Sequence, residues 1–355
     1  MKRNSPLKTS ERSYDSTGDG RDIDLLEKLA TFDALFSYQL RETRYDDAVI
    51  TRLIKGHYIG LVRDKNEPDK ISKDAYDFAR RKNVYLPLMV WPRGEALLAT
   101  KGRWPNRHKQ ADRFDHRMYR VSNEFSLWTG AKAHGLTFDF IGGVLADDRC
   151  PPATRNADDA HRIPLGNENI VPDTPIIRVR GAKTFCAHIE HDMGTERMFS
   201  AHQDSIESKV RRYVRYLAAR GFRDRYALPN VTILFFFNQL SRHKTFPDLV
   251  KHVTGDPEIQ QRFASMFQTD HNALRIDEID GQPKTVRLFP PATGYALEND
   301  YQRVAEPLNI LTATTGASDG RAQTPAGVRP PHSAQGDRHE TRSADGRKPP
   351  AGKAA

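Results

Sequence analysis

Glu190 and Asp192 close Thr184 to Asp192, a run that reads as a strand, and alternate residues of a strand share a face. Two acids on one face repel, so the pair asks for a reason. Asp173 opens a strand-like run to Arg180, and a hairpin turning at Gly181-Ala182 brings it roughly level with Glu190. Three carboxylates then converge. Such a cluster suits Mg²⁺, which takes one or two carboxylates plus waters and substrate phosphate and can activate water for phosphodiester cleavage. Asp173 and Glu190 are the candidate metal ligands. Lys209, on the next helical run and about one turn from Tyr213, is a candidate cation for a developing phosphorane. The catalytic candidates are therefore Asp173, Glu190, Asp192 and Lys209.

The same residues admit plainer readings. Glu190 and Asp192 also suit the solvated face of an edge strand, and Glu196 suits the N-terminal dipole of the following helix. Lys209 and Arg211 also read as surface cations. His188, His191 and His202 crowd the acids, but no His-x-x-x-His pair shares a helix face, which argues against zinc. There is no glycine-rich phosphate loop and no Gly-x-Ser-x-Gly elbow, so an ATP-driven enzyme and one class of hydrolase are disfavoured.

The elements that must position these residues fall into two groups. Leu25, Leu26, Leu29 and Phe32 recur at helical spacing, a second short helix fits Leu35 to Arg41, and a third fits Asp46 to Lys55 before Gly56. Strand-like runs at Tyr58 to Val62 and Val84 to Trp91 flank a polar insertion, Arg63 to Asn83, and Pro92-Arg93-Gly94 turns into Glu95 to Thr100. Three helices and a ribbon make a winged helix-turn-helix pattern. The Asp46 to Lys55 helix offers Tyr45, Thr51, Arg52 and Lys55 to a DNA groove, with Arg80, Arg81, Lys82 and Arg93 on the basic flank of the ribbon. A protein-interaction winged helix is the alternative.

The second group opens with a helix from Arg113 to His134 and a strand from Leu136 to Ile141. A polar loop from Gly142 to Ile170 precedes the hairpin that carries the acids. Then come a helix from His202 to Arg220, a strand from Val231 to Phe237 covered on both sides, helix over Phe246 to Val253 and Pro257 to Phe267, and a late strand at Lys284 to Phe289. The order makes an α/β sandwich.

Length and charge fit this division. The chain has 355 residues, 37% hydrophobic, and a formal net charge of +9. That length suggests about two domains. Phe78 to Asp112 holds eight basic side chains against Glu95 and Asp112, while 113–314 is close to neutral. The excess sits beside the ribbon. Residues 1–20 carry almost no large apolar side chain and 315–355 are dominated by Gly, Ala, Pro, Ser and Arg, so both read as disordered, the latter a basic tail. No apolar run nears the roughly 20 residues of a bilayer crossing, and no signal core follows Met1. Cys150 and Cys186 form no framework. A cytoplasmic protein with no membrane partner is expected.

The residues resemble the replication-relaxation family of plasmids and integrated elements. The resemblance runs from the helix-turn-helix at Leu26 and the ribbon ending Tyr85 to Leu98, through the helix with His116, Val121 and Glu124, to Pro172-Asp173 and Glu190-x-Asp192-x-Gly194-Thr195-Glu196. Lys209-Val-Arg-Arg-Tyr213 closes it, so it covers roughly 22–255. It implies a winged-helix DNA-binding domain (21–112) joined to a restriction-endonuclease-like core of the PD-(D/E)xK type (113–314), acting in plasmid replication, relaxation or transfer control. One departure stands out: that motif wants Lys two residues after the strand acid, and Asp192 occupies the position. Lys209 then reads as a migrated replacement and Glu124 as an extra acid.

Three functions follow as expectations. The first is a DNA-binding protein of a mobile element, with double-stranded DNA and replication or relaxase proteins as partners. The second is a Mg²⁺-dependent endonuclease or nickase, and the third a non-catalytic interaction scaffold.

Overall fold

Leu25, Leu26, Leu29 and Phe32 line the buried face of α1 (Arg21–Phe32), whose first turn carries Asp22 and Asp24 where a helix dipole favours acids. The computed structural model describes residues 20–43, 45–62, 73–81, 86–102, 114–157, 159–200, 205–267 and 300–315. After α1 come β1 (Leu35–Phe36), α2 (Ser37–Glu42), α3 (Asp47–Lys55), β2 (Ile59–Leu61), α4 (Lys73–Arg81), β3 (Pro87–Val90) and α5 (Pro92–Thr100). Asp46 caps α3 by accepting a hydrogen bond from Val49 N–H at 2.9 Å, and Val49, Ile50, Leu53 and Ile54 form its buried stripe. The strands make an antiparallel sheet in the order β1-β3-β2.

Three sequence expectations change here. Leu35 and Phe36 pair with Leu88 and Pro87, so the second helix starts only at Ser37. The polar insertion contains α4, held by buried Tyr76 and Ala79. Pro92-Arg93-Gly94 is the first turn of α5 rather than a bend, because a proline at a helix start lacks only an N–H that would go unpaired. The tails at 1–19 and 316–355 and the run at Lys284 to Phe289 lie outside the described residues.

The second group begins with α6 (Phe114–Ala133) and β4 (Thr137–Asp139). The expected polar loop holds α7 (Ile141–Leu145), α8 (Pro152–Arg155) and a hairpin of β5 (Ile163–Leu165) and β6 (Glu168–Ile170). Isolated buried residues such as Ile141, Val144, Cys150 and Ile163 pin this segment, too sparsely for periodicity to announce it. Next come β7 (Thr174–Arg180), β8 (Thr184–Asp192), α9 (Ile206–Ala218), α10 (Gly221–Tyr226), β9 (Thr232–Phe237), α11 (Leu240–Val253), α12 (Pro257–Gln260) and β10 (Phe263–Phe267). Phe263 to Phe267 was expected to be helical. It is a strand, paired in parallel register with Ile233 to Phe237, because a five-residue apolar run takes its form from its neighbour. The described chain ends with β11 (Asp300–Tyr301), β12 (Leu308–Asn309) and α13 (Ile310–Thr315).

The five-stranded sheet has the order β10-β9-β8-β7-β4. β7 is antiparallel to both neighbours, and β8, β9 and β10 are parallel. Period-two alternation sends Ile233, Phe235 and Phe237 into one core with Val210, Tyr213 and Phe246, and Leu234 and Phe236 into the other with Tyr119 and Leu127. The sheet is thus a layer between α9 and α11 on one side and α6 and α13 on the other. No helix among the described residues is long and apolar enough to cross a membrane.

One glycine fixes how α5 meets the small sheet. A Cβ at Gly94 would lie 2.5 Å from the Tyr58 carbonyl oxygen and 2.7 Å from Val90 Cγ1, whereas one at Gly142 meets nothing within 4 Å. Gly94→Ala is therefore expected to destabilise the protein by about 1–3 kcal/mol through overpacking, against a small effect for Gly142→Ala. Thermal melts of the two variants check this, and equal melting temperatures would refute it.

Candidate functional site

β7 begins and β8 ends at the same end of the sheet, and Thr174 lies opposite Ile189. That register places Asp173 beside the end of β8, where its Oδ2 accepts a hydrogen bond from the His191 backbone N–H at 2.7 Å. From α6, His116 Nε2 stands 3.4 Å from the same oxygen and 3.0 Å from the His191 carbonyl oxygen. Both neighbours are acceptors, so Nε2 carries a proton. Burial pushes Asp173 up, but the hydrogen bond and charge of His116, with Lys209 and His191, outweigh it and hold the carboxyl below the usual range.

Glu190 is nearly enclosed. Its Oε1 accepts from Tyr213 OH at 2.6 Å and its Oε2 from Lys209 Nζ at 3.2 Å, both partners coming from α9. Ser205 starts that helix by accepting from Ser208 N–H at 3.1 Å, and Ile206, Val210 and Leu217 hold it against the sheet. Burial, against the pull of Lys209 and aided by the Asp173 charge, raises Glu190 to about 7. Burial alone would lower Lys209, but Glu190, Asp173 and Glu196 together raise it. Its Nζ also lies 2.8 Å from Glu196 Oε1. The ammonium thus bridges two carboxylates.

The candidates divide at this point. Asp173, Glu190 and Lys209 share one electrostatic cluster, with Glu196, Tyr213 and His116 completing it. Asp192 points to the same side of the sheet as Glu190 but bonds to Arg242 of α11, and accepts from Gly194 N–H at 3.1 Å. Glu124 accepts from Thr174 Oγ1 at 2.6 Å and pairs with Arg120 at 3.3 Å, so the suggested extra acid is engaged within the α6 side. Among the described residues, no group of three or more His, Cys, Asp or Glu side chains is arranged to hold a metal ion. The donor types still suit a hard cation, which needs only one or two carboxylates when phosphate and water fill the rest. Glu196 Oε2, buried and without a hydrogen-bond partner, agrees with that chemistry.

The expected DNA-contact residues also divide. Tyr45 is buried and gives its hydroxyl proton to Asp24, while Lys28 donates to the hydroxyl at 3.1 Å. Arg52 grips buried Asp22 with two bonds of 2.8 and 2.5 Å. Arg93 donates to the Gly56 carbonyl at 2.9 Å and stacks over Tyr58. These three residues serve the fold. Lys55, Arg80 and Arg81 are exposed and Thr51 half-buried, while Lys82 lies outside the described residues. Tyr76 OH donates to Asp47 at 2.8 Å and Arg80 pairs with the same carboxylate, docking α4 beside α3. The groove between them carries Arg52, Lys55, Lys73 and Arg80 against Asp47 and Asp77.

No family model, curated protein or solved structure matches the chain.

The Lys209 bridge can be tested directly. Lys209→Met strands two carboxylates, one of them enclosed, and is expected to cost about 3–5 kcal/mol, with Glu190→Gln restoring part of the loss in the double variant. Removing the cation also removes what favours the carboxylate, so the Glu190 titration, expected near 7 and followed by carboxyl ¹³C NMR, should move upward in the variant. An unchanged midpoint would exclude the bridge.

Proposed function

We propose that this chain is a DNA-binding protein of a plasmid or integrated mobile element, acting in replication, relaxation or transfer control. The observation that carries the reading is the N-terminal arrangement. The order α1, β1, α2, α3, β2, β3 builds an antiparallel sheet of order β1-β3-β2, and on this reading the β2 to β3 connection is the wing and α3 the recognition helix. On this reading α4 is part of the wing, and its cations extend the α3 surface along a phosphate backbone. Thr51 and Lys55 face the groove, and Lys73 and Arg80 neutralise phosphates. Replication or relaxase proteins are the proposed partners beyond DNA.

Duplex binding is expected to weaken linearly in log–log form as salt rises, because each neutralised phosphate releases counterions. Lys55→Glu with Lys73→Glu should weaken binding about tenfold or more at low salt. A protein that shifts no duplex at low ionic strength, or a variant that binds like wild type, would overturn the reading.

The Asp173–Glu190–Lys209 cluster favours a second reading, a metal-dependent nuclease or nickase in the core. The order helix, antiparallel meander, helix and parallel strand is consistent with a restriction-endonuclease-like sandwich, with its two acids meeting at one end of the sheet. Asp173 and Glu190 would hold a Mg²⁺ ion, which supplies an activated water and charge for phosphodiester hydrolysis. Tyr213 orients the Glu190 carboxylate, His116 fixes that of Asp173, and the Lys209 ammonium answers negative charge on phosphate. Incubation of supercoiled plasmid with Mg²⁺ or Mn²⁺ should yield nicked circles with wild type and none with Glu190→Ala. Intact plasmid with a folded wild-type protein in both metals would remove this reading and leave the first standing.

A further inference from the structure

We infer that the outer face of α9 and α10 is a second duplex-DNA contact, separate from the α3–α4 groove and leading to the Asp173–Glu190–Lys209 end of the sheet. The near-neutral charge of 113–314 conceals it. Lys209 to Tyr226 carries seven basic residues and one acidic, Asp224, while the remainder of 113–314 carries nineteen basic against twenty-four acidic. A segment of net six positive charges therefore stands within an otherwise acidic stretch of sequence.

The helix geometry turns that strip outward. Ile206, Val210, Tyr213 and Leu217 occupy the buried face of α9, which leaves Arg211 and Arg215 exposed and Arg212 half-buried on the others. Arg220 and Arg223 continue the strip, exposed and without a side-chain hydrogen bond or ion pair among the described residues. Arg211 pairs with Glu207 and Arg215 with Glu168, but both arginines are more than half exposed, and such pairs contribute about 0–1 kcal/mol. Phosphates can replace these acids at little cost.

The length and texture of the strip identify the partner. Arg211 and Arg215 are four residues apart on α9, about 6 Å along its axis, which matches about two base pairs of duplex. Among the described residues the exposed large apolar side chains, Val171, Phe199 and Leu240, all lie outside α9 and α10. A protein partner would ask for an apolar centre, whereas a phosphate backbone asks only for spaced cations.

The test uses the full-length protein and a fluorescent duplex of about 20 base pairs, read by anisotropy across a salt series. The combined variant Arg215→Glu, Arg220→Glu, Arg223→Glu should bind at least tenfold more weakly near 50 mM salt. Its salt slope should fall by about 2–3, at about 0.9 per lost phosphate contact. The three Arg→Lys changes should retain most of the affinity, and thermal melts should match wild type. Unchanged affinity and slope in the glutamate variant, the result expected if the strip instead serves an acidic protein, would overturn the inference. So would an equal loss in the lysine variant. Comparison with Lys55→Glu, Lys73→Glu separates the readings: weakening by the strip variant alone sinks the α3–α4 groove, weakening by the groove variant alone sinks the strip, and a wild type that binds no duplex sinks both.

Discussion

Buried charge on α6 is the constraint on which the arrangement depends. Arg117 and Arg120 are almost wholly buried, and both reach Asp33, at 3.5 and 3.2 Å, at the end of α1. Arg120 also meets Glu124, which in turn accepts from Thr174 at the start of β7. Removing charges from water costs several kcal/mol per ion, so these groups tolerate burial only when each finds its partner. The partners come from the end of α1, from α6 and from the start of β7, so satisfying them ties the three elements together. Asp33 adopts a positive φ of 70° to end α1 there, a conformation that aspartate bears better than most residues. One turn away on the same helix, His116 reaches Asp173. The helix that anchors the N-terminal elements therefore also shapes the acidic site.

The same rule governs the far side of the sheet. Two acids two residues apart on β8 would repel, yet each has its own cation: Lys209 of α9 for Glu190 and Arg242 of α11 for Asp192. The helices that cover this face thus bring both the apolar stripe that buries the sheet and the charges that make its acids tolerable. His188 and His191 show the complementary solution. Burial lowers them to about 4 and about 3, so they stay neutral near pH 7, with His188 bonded to Tyr216 and His191 to Asn123.

Legibility from sequence follows the range of the interactions involved. α1, α3 and α9 announce themselves through burial period and capping residues, and β8 and β9 as strand-length runs bounded by turn residues, all of them local signals, and Glu190, Tyr213 and Lys209 come with them. β1 and β10 are too short to carry a period, and their form depends on β3 and β9. α4 was hidden in a polar stretch because its hold on α3 runs through the hydroxyl of Tyr76, not through a broad apolar face. In the site, the meeting of Asp173 with β8 was readable from hairpin register. The engagement of Asp192 by Arg242, fifty residues on, and of Asp173 by His116, on the opposite layer, was not. Tyr45, Arg52 and Arg93 mislead for a related reason: side chains of a type suited to DNA are equally suited to satisfying Asp24, Asp22 and the Gly56 carbonyl, and sequence does not reveal which partner is nearer.

Net charge shows the same loss of information at a larger scale. A sum over a segment discards direction, whereas a polyanion responds to the local potential along its own length. The near-neutral core is neutral only as a sum. Glu190, Asp192, Glu124 and Asp139 are drawn inward or paired, while Arg211, Arg215, Arg220 and Arg223 face solvent, those of α9 because Val210, Tyr213 and Leu217 claim the opposite side of the helix. The apolar stripe that builds the sandwich is thus also what sorts the charges. Burial decides which ionic groups must find partners inside, and the cations it leaves outside make the surface a phosphate backbone would meet.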